Sequence, residues 1–135
     1  ILTPNTLEAR RLAQDDDDDS QPSQEACAHK LLTAGAEHVL ITGTHENTQQ
    51  VINTFYGAKG LIREDKWDRL PGSYHGSGCT LASAVAANLA CGLAIEEAVF
   101  EAQEYTWHTL ANGFRPGMGQ YIPDRFFWAR GEDDE

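Results

Sequence analysis

The strongest constraint on the fold is the run His75-Gly76-Ser77-Gly78-Cys79-Thr80, which small residues continue to Leu89. Two glycines one residue apart allow a tight backbone turn and leave peptide N–H groups uncovered by side chains. A helix that starts here would direct its unpaired N-terminal N–H groups and its positive dipole end at one spot. The motif therefore predicts a corner that attracts anions, phosphate especially, with Cys79 as a candidate base or nucleophile at its edge.

Two well-known phosphate loops do not fit this motif. A Walker A loop would close with Gly-Lys-Ser/Thr, which this run lacks. A dinucleotide fingerprint would have its third glycine where Leu81 stands. The remaining alternative is an ordinary strand-to-helix turn with a small core cysteine at the first helical position, because glycine-rich helix starts are common.

The charge of the chain is concentrated in two short segments. Of the 21 acidic residues, nine lie in Asp15–Asp19 and Glu132–Glu135, which leaves 12 acidic against 10 basic residues in a nearly neutral body. The absence of a basic stripe argues against nucleic-acid binding, and no stretch approaches the ~20 apolar residues of a membrane span. Five consecutive aspartates lack a coordination geometry of their own, so we interpret the run as a solvated loop rather than a metal site.

The size and the cysteines limit the class of protein. At 135 residues with 41% hydrophobic content, the chain is one small domain, or part of a larger one, with a packed core. Its three cysteines, an odd number at irregular spacing, predict free thiols in a reducing compartment and hence a cytoplasmic protein. Cys27 and Cys91 are expected to pack in the core.

The hydrophobic pattern predicts an α/β fold with helices covering a mostly parallel sheet. Asn5 and Glu8 have the spacing of a capping box at a first helix. Strand, helix and strand in sequence imply a right-handed parallel crossover. The expected elements are the end of a buried strand at Ile1–Thr3, helix Gln24–Ala34, strand Val39–Ile41, a hairpin of Val51–Tyr56 and Leu61–Trp67, and helices Cys79–Cys91 and Ile95–Ala111.

Two features of the pattern suggest missing structure. A chain that opens inside a strand is expected to be a fragment, or a domain whose first part is absent. The aromatic run Phe126-Phe127-Trp128 near the other end must pack on something or aggregate.

Four blocks in this order resemble the C-terminal half of the ribokinase-like kinases. They are Thr3-Pro4-Asn5-x-x-Glu8-Ala9, the Val39–Gly43 strand with His45, the hairpin, and His75 to Leu81. Cysteine at the end of Gly-x-Gly-Cys, where sugar kinases carry aspartate, is similar to the hydroxymethylpyrimidine/phosphomethylpyrimidine kinases of thiamine biosynthesis, with the pyridoxal kinases the nearest competitors. The resemblance implies the C-terminal portion of a three-layer α/β/α sandwich over residues 1–115, followed by a divergent tail with an acidic end over residues 116–135.

The resemblance also implies roles for the glycine turn and its cysteine. Gly76, Ser77 and Gly78 would form an anion hole around the transferred phosphoryl group. Cys79 would take the proton from the hydroxymethyl group of the pyrimidine, or from the monophosphate in a second step. A β-carbon at Gly76 or Gly78 is expected to block the approach of phosphate or to force an unfavourable backbone conformation.

ATP and Mg²⁺ are the implied cofactors. Asn5 and Glu8 would help to hold Mg²⁺ through water, and Thr42, Gly43 and His75 would lie beside the nucleotide. Thr42 departs from the family pattern, which has a lysine here for the nucleotide phosphates, and the substitutes that remain are His45, His75 and Lys59.

Three functions stay open on the sequence. The first is ATP-dependent phosphorylation of hydroxymethylpyrimidine and its phosphate, by an enzyme that would be a homodimer when complete. The second is the pyridoxal or pyridoxine kinase reaction of the same superfamily. The third is a non-catalytic truncated copy that acts as a binding or structural module, because the half of such kinases that supplies most of the pyrimidine pocket has no counterpart here.

Overall fold

The structure is a computed structural model that describes residues 1–15, 21–44 and 46–129. His45, residues 16–19 of the aspartate run and the acidic end at 132–135 lie outside these described residues. Two compact units, Ile1–Arg69 and Leu70–Glu135, make up the chain. The elements are α1 (Thr6–Ala13), α2 (Gln24–Thr33), β1 (Val39–Ile41), β2 (Gln50–Gly57), β3 (Gly60–Asp68), α3 (Ser77–Ala90), α4 (Ile95–Ala111) and a 3₁₀ turn (Phe127–Ala129).

The capping box predicted for α1 is confirmed. The Glu8 amide donates to Asn5 Oδ1 over 2.9 Å, and the Asn5 amide donates to Glu8 Oε1 over 3.0 Å. At the other end of the helix, Lys30 Nζ donates to the Ala13 carbonyl over 3.1 Å and pairs with Asp15 over 2.8 Å. Both ends of this short helix therefore have partners for some of their unpaired backbone groups.

The opening residues run parallel to β1, as predicted. Leu2 accepts from the Leu40 amide over 2.8 Å and donates to the His38 carbonyl over 3.1 Å, and the Thr42 amide donates to the Pro4 carbonyl over 2.9 Å. α1 and α2 form the connection between these two extended segments. The strand, helix and strand order of the sequence thus gives the parallel pairing that it predicts. Ile1 and Leu2 are 42% and 39% exposed, so the prediction of a buried strand there is wrong, because among the described residues this segment pairs on the β1 side alone.

The expectation of a mostly parallel sheet is wrong for the strands that the structure describes. Their order is β1-β2-β3, and both neighbouring pairs are antiparallel. The physical reason is chain length, since a parallel return needs a crossover of about a dozen residues or more and the segment from β1 to β2 is shorter. The predicted hairpin is confirmed, with Ala58 and Lys59 as its two turn residues.

The core of the first unit lies where α1 and α2 pack against β1 and Tyr56. Cys27 is fully buried there, as predicted, and burial raises the pKa of its thiol, with nearby Arg10 and Lys30 acting in the opposite direction. The eight buried residues of this cluster are Ala9, Ala13, Cys27, Ala28, Leu31, Val39, Ile41 and Tyr56.

The second unit is built on the pair α3 and α4. Helix α4 has the predicted bounds and buries Ala98, Val99 and Ala102. α3 begins two residues before the predicted start and ends one residue before Cys91. Cys91 is exposed, so the prediction that it packs in the core is wrong, because it caps the helix at a solvent-facing end.

The aromatic run after α4 is only partly packed. The Phe127 ring lies 5.7 Å from that of His108 and 6.0 Å from that of Tyr105. Phe126 and Trp128 are 69% and 68% exposed. Across the described residues, each helix is too short or too polar to span a bilayer.

Candidate functional site

The glycine turn forms the start of α3 in the second unit. Gly76 is the N-cap residue, with a left-handed backbone (φ 94°) and no side-chain cap for the first helical N–H groups. Its carbonyl accepts the first helical bond from the Thr80 amide over 3.0 Å. The sequence thus folds locally as predicted, and an uncapped helix N-terminus with its partial positive charge results. Anion binding at this turn stays a prediction.

The two glycines of the turn have different structural roles. Among the described glycines with positive φ are Gly76 and Gly92, whereas Gly78 is not one of them. A Cβ on Gly76 would also lie 3.1 Å from Arg125 Nη2, whereas a Cβ on Gly78 would have no neighbour within 4 Å. The expectation of an unfavourable backbone therefore holds for Gly76 alone. Packing gives no reason for a glycine at position 78, and the approach of a ligand to it stays a prediction.

Cys79 is exposed, which removes the alternative of a small core cysteine at this position. It lies in the first turn of α3 and lines a cleft of about 610 Å³ between residues of α3 and α4, which Thr80, Ser83 and Tyr105 also line. The thiol is therefore open to a ligand that binds at the helix N-terminus.

Arg125 contacts this turn from the segment after α4, and no sequence pattern pointed to it. Its Nε donates to Thr80 Oγ1 over 3.1 Å, and its own carbonyl accepts a 2.6 Å bond from the Tyr105 hydroxyl. The guanidinium adds a permanent positive charge to the start of α3. Because 45 positions separate Arg125 from Thr80, no local pattern could have connected them.

His75 precedes the turn and is exposed. Its amide donates to the Tyr121 carbonyl over 2.9 Å, and the Tyr121 amide in turn donates to Ser73 over 2.8 Å. The backbone on the N-terminal side of the turn is thus fixed, while the imidazole is accessible to solvent.

The other predicted site residues lie in the first unit, where the structure brings Asn5, Thr42 and Gly43 together. Asn5 and Thr42 form a parallel bridge. The Thr42 carbonyl accepts from the amide and the hydroxyl of Thr6 over 3.2 and 3.4 Å. The start of α1 and the end of β1 therefore lie side by side, with Glu8 exposed in the first turn of α1.

Gly43 is explained by packing. A Cβ at this position would collide with the backbone carbonyl of Ile52. The Gly43 amide donates to Asn53 Oδ1 over 3.2 Å. Any contribution of Gly43 to nucleotide binding would therefore come from its backbone.

The oxygens of Asn5 and Glu8 fit a magnesium ion that is held through water. No group of three or more His, Cys, Asp or Glu side chains that could hold a metal occurs among the described residues. Mg²⁺ often keeps several waters and takes one or two carboxylates plus substrate phosphates. Glu8 offers an exposed carboxylate of which the capping box uses Oε1.

The register of the hairpin tests one candidate substitute for the missing lysine, which is Lys59. Val39 pairs with Tyr56, whereas Ile41 pairs with Thr54. Lys59 in the hairpin turn therefore lies near the amino end of β1, away from Thr42, and its proposed role as a substitute is wrong. His45 lies outside the described residues.

The glycine turn at the start of a helix, within an α/β fold, is the arrangement of a ribokinase-like kinase domain, and comparison with solved structures supports this class. The pyridoxal kinase from Staphylococcus aureus in complex with ADP matches with a TM-score of 0.83 and 28% sequence identity, over 96% of this chain and 48% of that one. The predicted fold class is confirmed.

The family follows from the sequence comparisons. The family model for phosphomethylpyrimidine kinase matches residues 1–124, so the chain belongs to the phosphomethylpyrimidine kinase family. A hydroxymethylpyrimidine/phosphomethylpyrimidine kinase from Streptomyces coelicolor is 36% identical over 98% of this chain and 48% of its own length. A pyridoxine kinase from Bacillus subtilis is 31% identical over 90% of this chain and 45% of its own length. The chain thus spans about half the length of these relatives.

The contrast between the two glycines of the turn can be tested by their effect on stability. Gly76→Ala is expected to lower the free energy of unfolding by about 1–2 kcal/mol, because an L-residue is strained in the left-handed region. Gly78→Ala is expected to leave it unchanged or to raise it by up to ~1 kcal/mol, because alanine favours a helix. Urea unfolding followed by circular dichroism measures both changes.

Gly92→Ala is the matched control, since Gly92 has a φ of 92° at the other end of α3. It should cost about as much as Gly76→Ala. Equal losses for Gly76→Ala and Gly78→Ala would contradict the assignment of a backbone role to Gly76 alone.

Proposed function

We propose that this chain carries the phosphate site of a kinase that transfers phosphate from ATP to 4-amino-5-hydroxymethyl-2-methylpyrimidine and to its monophosphate, in thiamine biosynthesis. The observation that carries the proposal is the uncapped start of α3 beside the exposed Cys79. Family membership and the name of the Streptomyces relative support the pyrimidine substrates. The ADP bound by the Staphylococcus pyridoxal kinase supports ATP as the donor.

The proposed reaction needs positioning and charge neutralisation more than covalent catalysis. The backbone N–H groups at Gly76, Ser77 and Gly78, with the helix dipole, hold the transferred phosphoryl group. Arg125 adds positive charge to the same turn. Cys79, as thiolate, accepts the proton of the hydroxymethyl group as that oxygen bonds to the γ-phosphorus and ADP leaves.

Asn5 and Glu8 are proposed to hold Mg²⁺ through water. When bound, Mg²⁺ neutralises charge on the nucleotide phosphates. Thr42 and Gly43 lie beside the nucleotide, with their own amides bonded to Pro4 and Asn53, and His75 contributes an accessible imidazole. A cytoplasmic homodimer completes the proposal, with the location taken from the free cysteines and the dimer from the family resemblance.

Phosphorylation of pyridoxal or pyridoxine is the second candidate function. The pyridoxal kinase fold match and the pyridoxine kinase from Bacillus subtilis favour it. The groups assigned here act on the phosphates or on a hydroxymethyl group, which both kinds of acceptor have, so they do not distinguish the two. A non-catalytic binding or structural module is the third candidate, which the sequence leaves open.

A comparison of acceptors tests the proposed function. Transfer from ATP is measured with hydroxymethylpyrimidine, its monophosphate and pyridoxal, using the chain alone and the chain mixed with the part of the Streptomyces relative that it does not match. We expect transfer in the mixture, with a kcat/KM that is higher for the pyrimidines than for pyridoxal. A preference for pyridoxal would support the second candidate, and no transfer together with no ADP binding would support the third.

The role of Cys79 predicts a selective loss of turnover. Cys79→Ala is expected to lower kcat by roughly 10²–10⁴ with little change in ADP affinity, because it removes a general base. Cys79→Asp should retain some activity, since carboxylate is also a base. Cys91→Ala, a change of the other exposed thiol flanking the same helix, is the control and should leave kcat unchanged. Near-normal turnover in Cys79→Ala would show that Cys79 is not the base.

One substitution can separate the two roles of Glu8, which are the capping of α1 and the proposed binding of Mg²⁺ through water. Glu8→Gln keeps the capping box, which accepts Gln as well as Glu, but removes the carboxylate. We expect an unchanged free energy of unfolding. The Mg²⁺ concentration that gives half-maximal phosphate transfer should rise roughly 10-fold or more, as for other groups that act on a metal through water. Glu8→Ala should affect both measurements. An unchanged Mg²⁺ requirement in Glu8→Gln would limit Glu8 to capping α1.

A further inference from the structure

Arg69 lies directly after β3, at the end of the sheet where β1 continues into Thr42 and Gly43. The hairpin register pairs Gln50 with Asp68, so residue 69 follows the last pair at the open end of the hairpin. Ile41, the last residue of β1, pairs with Thr54 of β2, and the side chain of Arg69 reaches the backbone of Gly43. The guanidinium is thus at the end of β1 that holds the proposed nucleotide site.

The Arg69 guanidinium binds several carbonyls of the segment that follows β1. Nε donates to the Thr48 carbonyl over 2.9 Å and Nη1 donates to the Thr44 carbonyl over 2.7 Å. Nη2 donates to the Glu46 carbonyl over 2.8 Å, with longer contacts of 3.5 Å to the Gly43 carbonyl and 3.4 Å to Thr48 Oγ1. Five N–H donors in a planar fork suit this arrangement, whereas a lysine ammonium has three donors at one point.

These bonds determine the direction of the backbone amides in the segment. In a trans peptide the carbonyl and the following N–H point in opposite directions, and the described chain has no cis peptide bond. Because the preceding carbonyls face Arg69, the N–H groups of Thr44, Asn47 and Gln49 point away from it. Outward N–H groups on a short turn favour anions.

We propose that Arg69 is a positioning residue for nucleotide binding, whose fork turns the amide N–H groups of Thr44, Asn47 and Gln49 towards the nucleotide phosphates. The inference rests on the proposed function, because it takes Thr42 and Gly43 to lie beside those phosphates. The effect comes from the shape of the fork, since all three guanidinium nitrogens bond to backbone carbonyls.

The test compares Arg69→Lys, which keeps the charge and loses the fork, with Arg69→Ala, which loses both. Lys66→Ala is the control, because it also removes a positive charge from this hairpin. The one ion pair described for Lys66 is a 4.0 Å contact with Glu64, and both side chains are exposed. ADP affinity is measured by calorimetry at a temperature where each variant is folded. Amide hydrogen exchange of the peptide covering residues 43–49 reports on the clamp, by which we mean the hydrogen bonds from the Arg69 guanidinium to the carbonyls of Thr44, Glu46 and Thr48.

Both Arg69 variants should weaken ADP binding roughly tenfold, equivalent to about 1.4 kcal/mol, and speed exchange in the 43–49 peptide. Lys66→Ala should change neither. Arg69→Lys keeps most of the aliphatic stem, so it carries the test if Arg69→Ala does not fold.

Two results would overturn the inference alone. ADP binding by Arg69→Lys that equals that of the unchanged chain would assign the effect to charge. Unchanged ADP affinity in both variants would show a clamp without a role in binding. If the unchanged chain binds no ADP, the proposed nucleotide site falls and this inference with it.

Discussion

The first unit depends on the hydrogen bonding of β1 along both of its edges. Its three residues are fully buried. One edge pairs in parallel with the opening residues, and the other pairs antiparallel with β2. The parallel edge sets Asn5 beside Thr42, and the antiparallel edge sets Ile52 and Asn53 against Gly43. Because a strand that is bonded on both edges cannot shift its register without breaking either set of bonds, the positions of these groups are fixed together.

Several residues of the candidate site also have a structural role that is sufficient to explain their identity. Asn5 and Glu8 cap α1, and Gly43 leaves room for a neighbouring carbonyl. These roles are compatible with ligand binding, because a carboxylate has further acceptor positions and a glycine has backbone groups. Gly78 and Cys79 differ from them. No packing contact requires the first to be glycine, and the second is exposed on a helix that would tolerate many residues.

The sequence predicts well those features of the structure that depend on residues close together in the chain. The capping box of α1, the two-residue hairpin turn and the bounds of α4 all follow from residues close together in the chain. Turn chemistry and helix periodicity are local signals, and they were sufficient there. The α/β class and the family resemblance were confirmed as well.

The wrong or missing predictions concern contacts between distant parts of the chain and the solvent exposure of the C-terminal end of α3. The direction of the sheet depended on the length of the segment between β1 and β2, and the burial of Cys91 depended on where α3 meets solvent. Arg125 was invisible because it contacts Thr80 across most of the second unit. Arg69 was different in kind, since the hairpin register already places it at the open end of the sheet. Counting out from the predicted turn would still miss the true register by one residue, because the ladder shifts between Phe55 and Tyr56.

In the proposed function, the start of α3 and the segment after β1 would attract phosphate by different physical means, and each would therefore tolerate different substitutions. At the start of α3 the N–H groups are aligned by the helix itself, and Gly76 supplies the turn that leaves them uncapped. Such a site tolerates most changes of side chain, provided that residue 76 can adopt positive φ. In the segment after β1, the direction of the N–H groups depends on bonds from one guanidinium. In the proposed arrangement a threonine in place of lysine at position 42 would be tolerable, because the backbone amides rather than a side chain at position 42 would face the phosphates. The first unit would then depend on Arg69 as strictly as the second depends on Gly76.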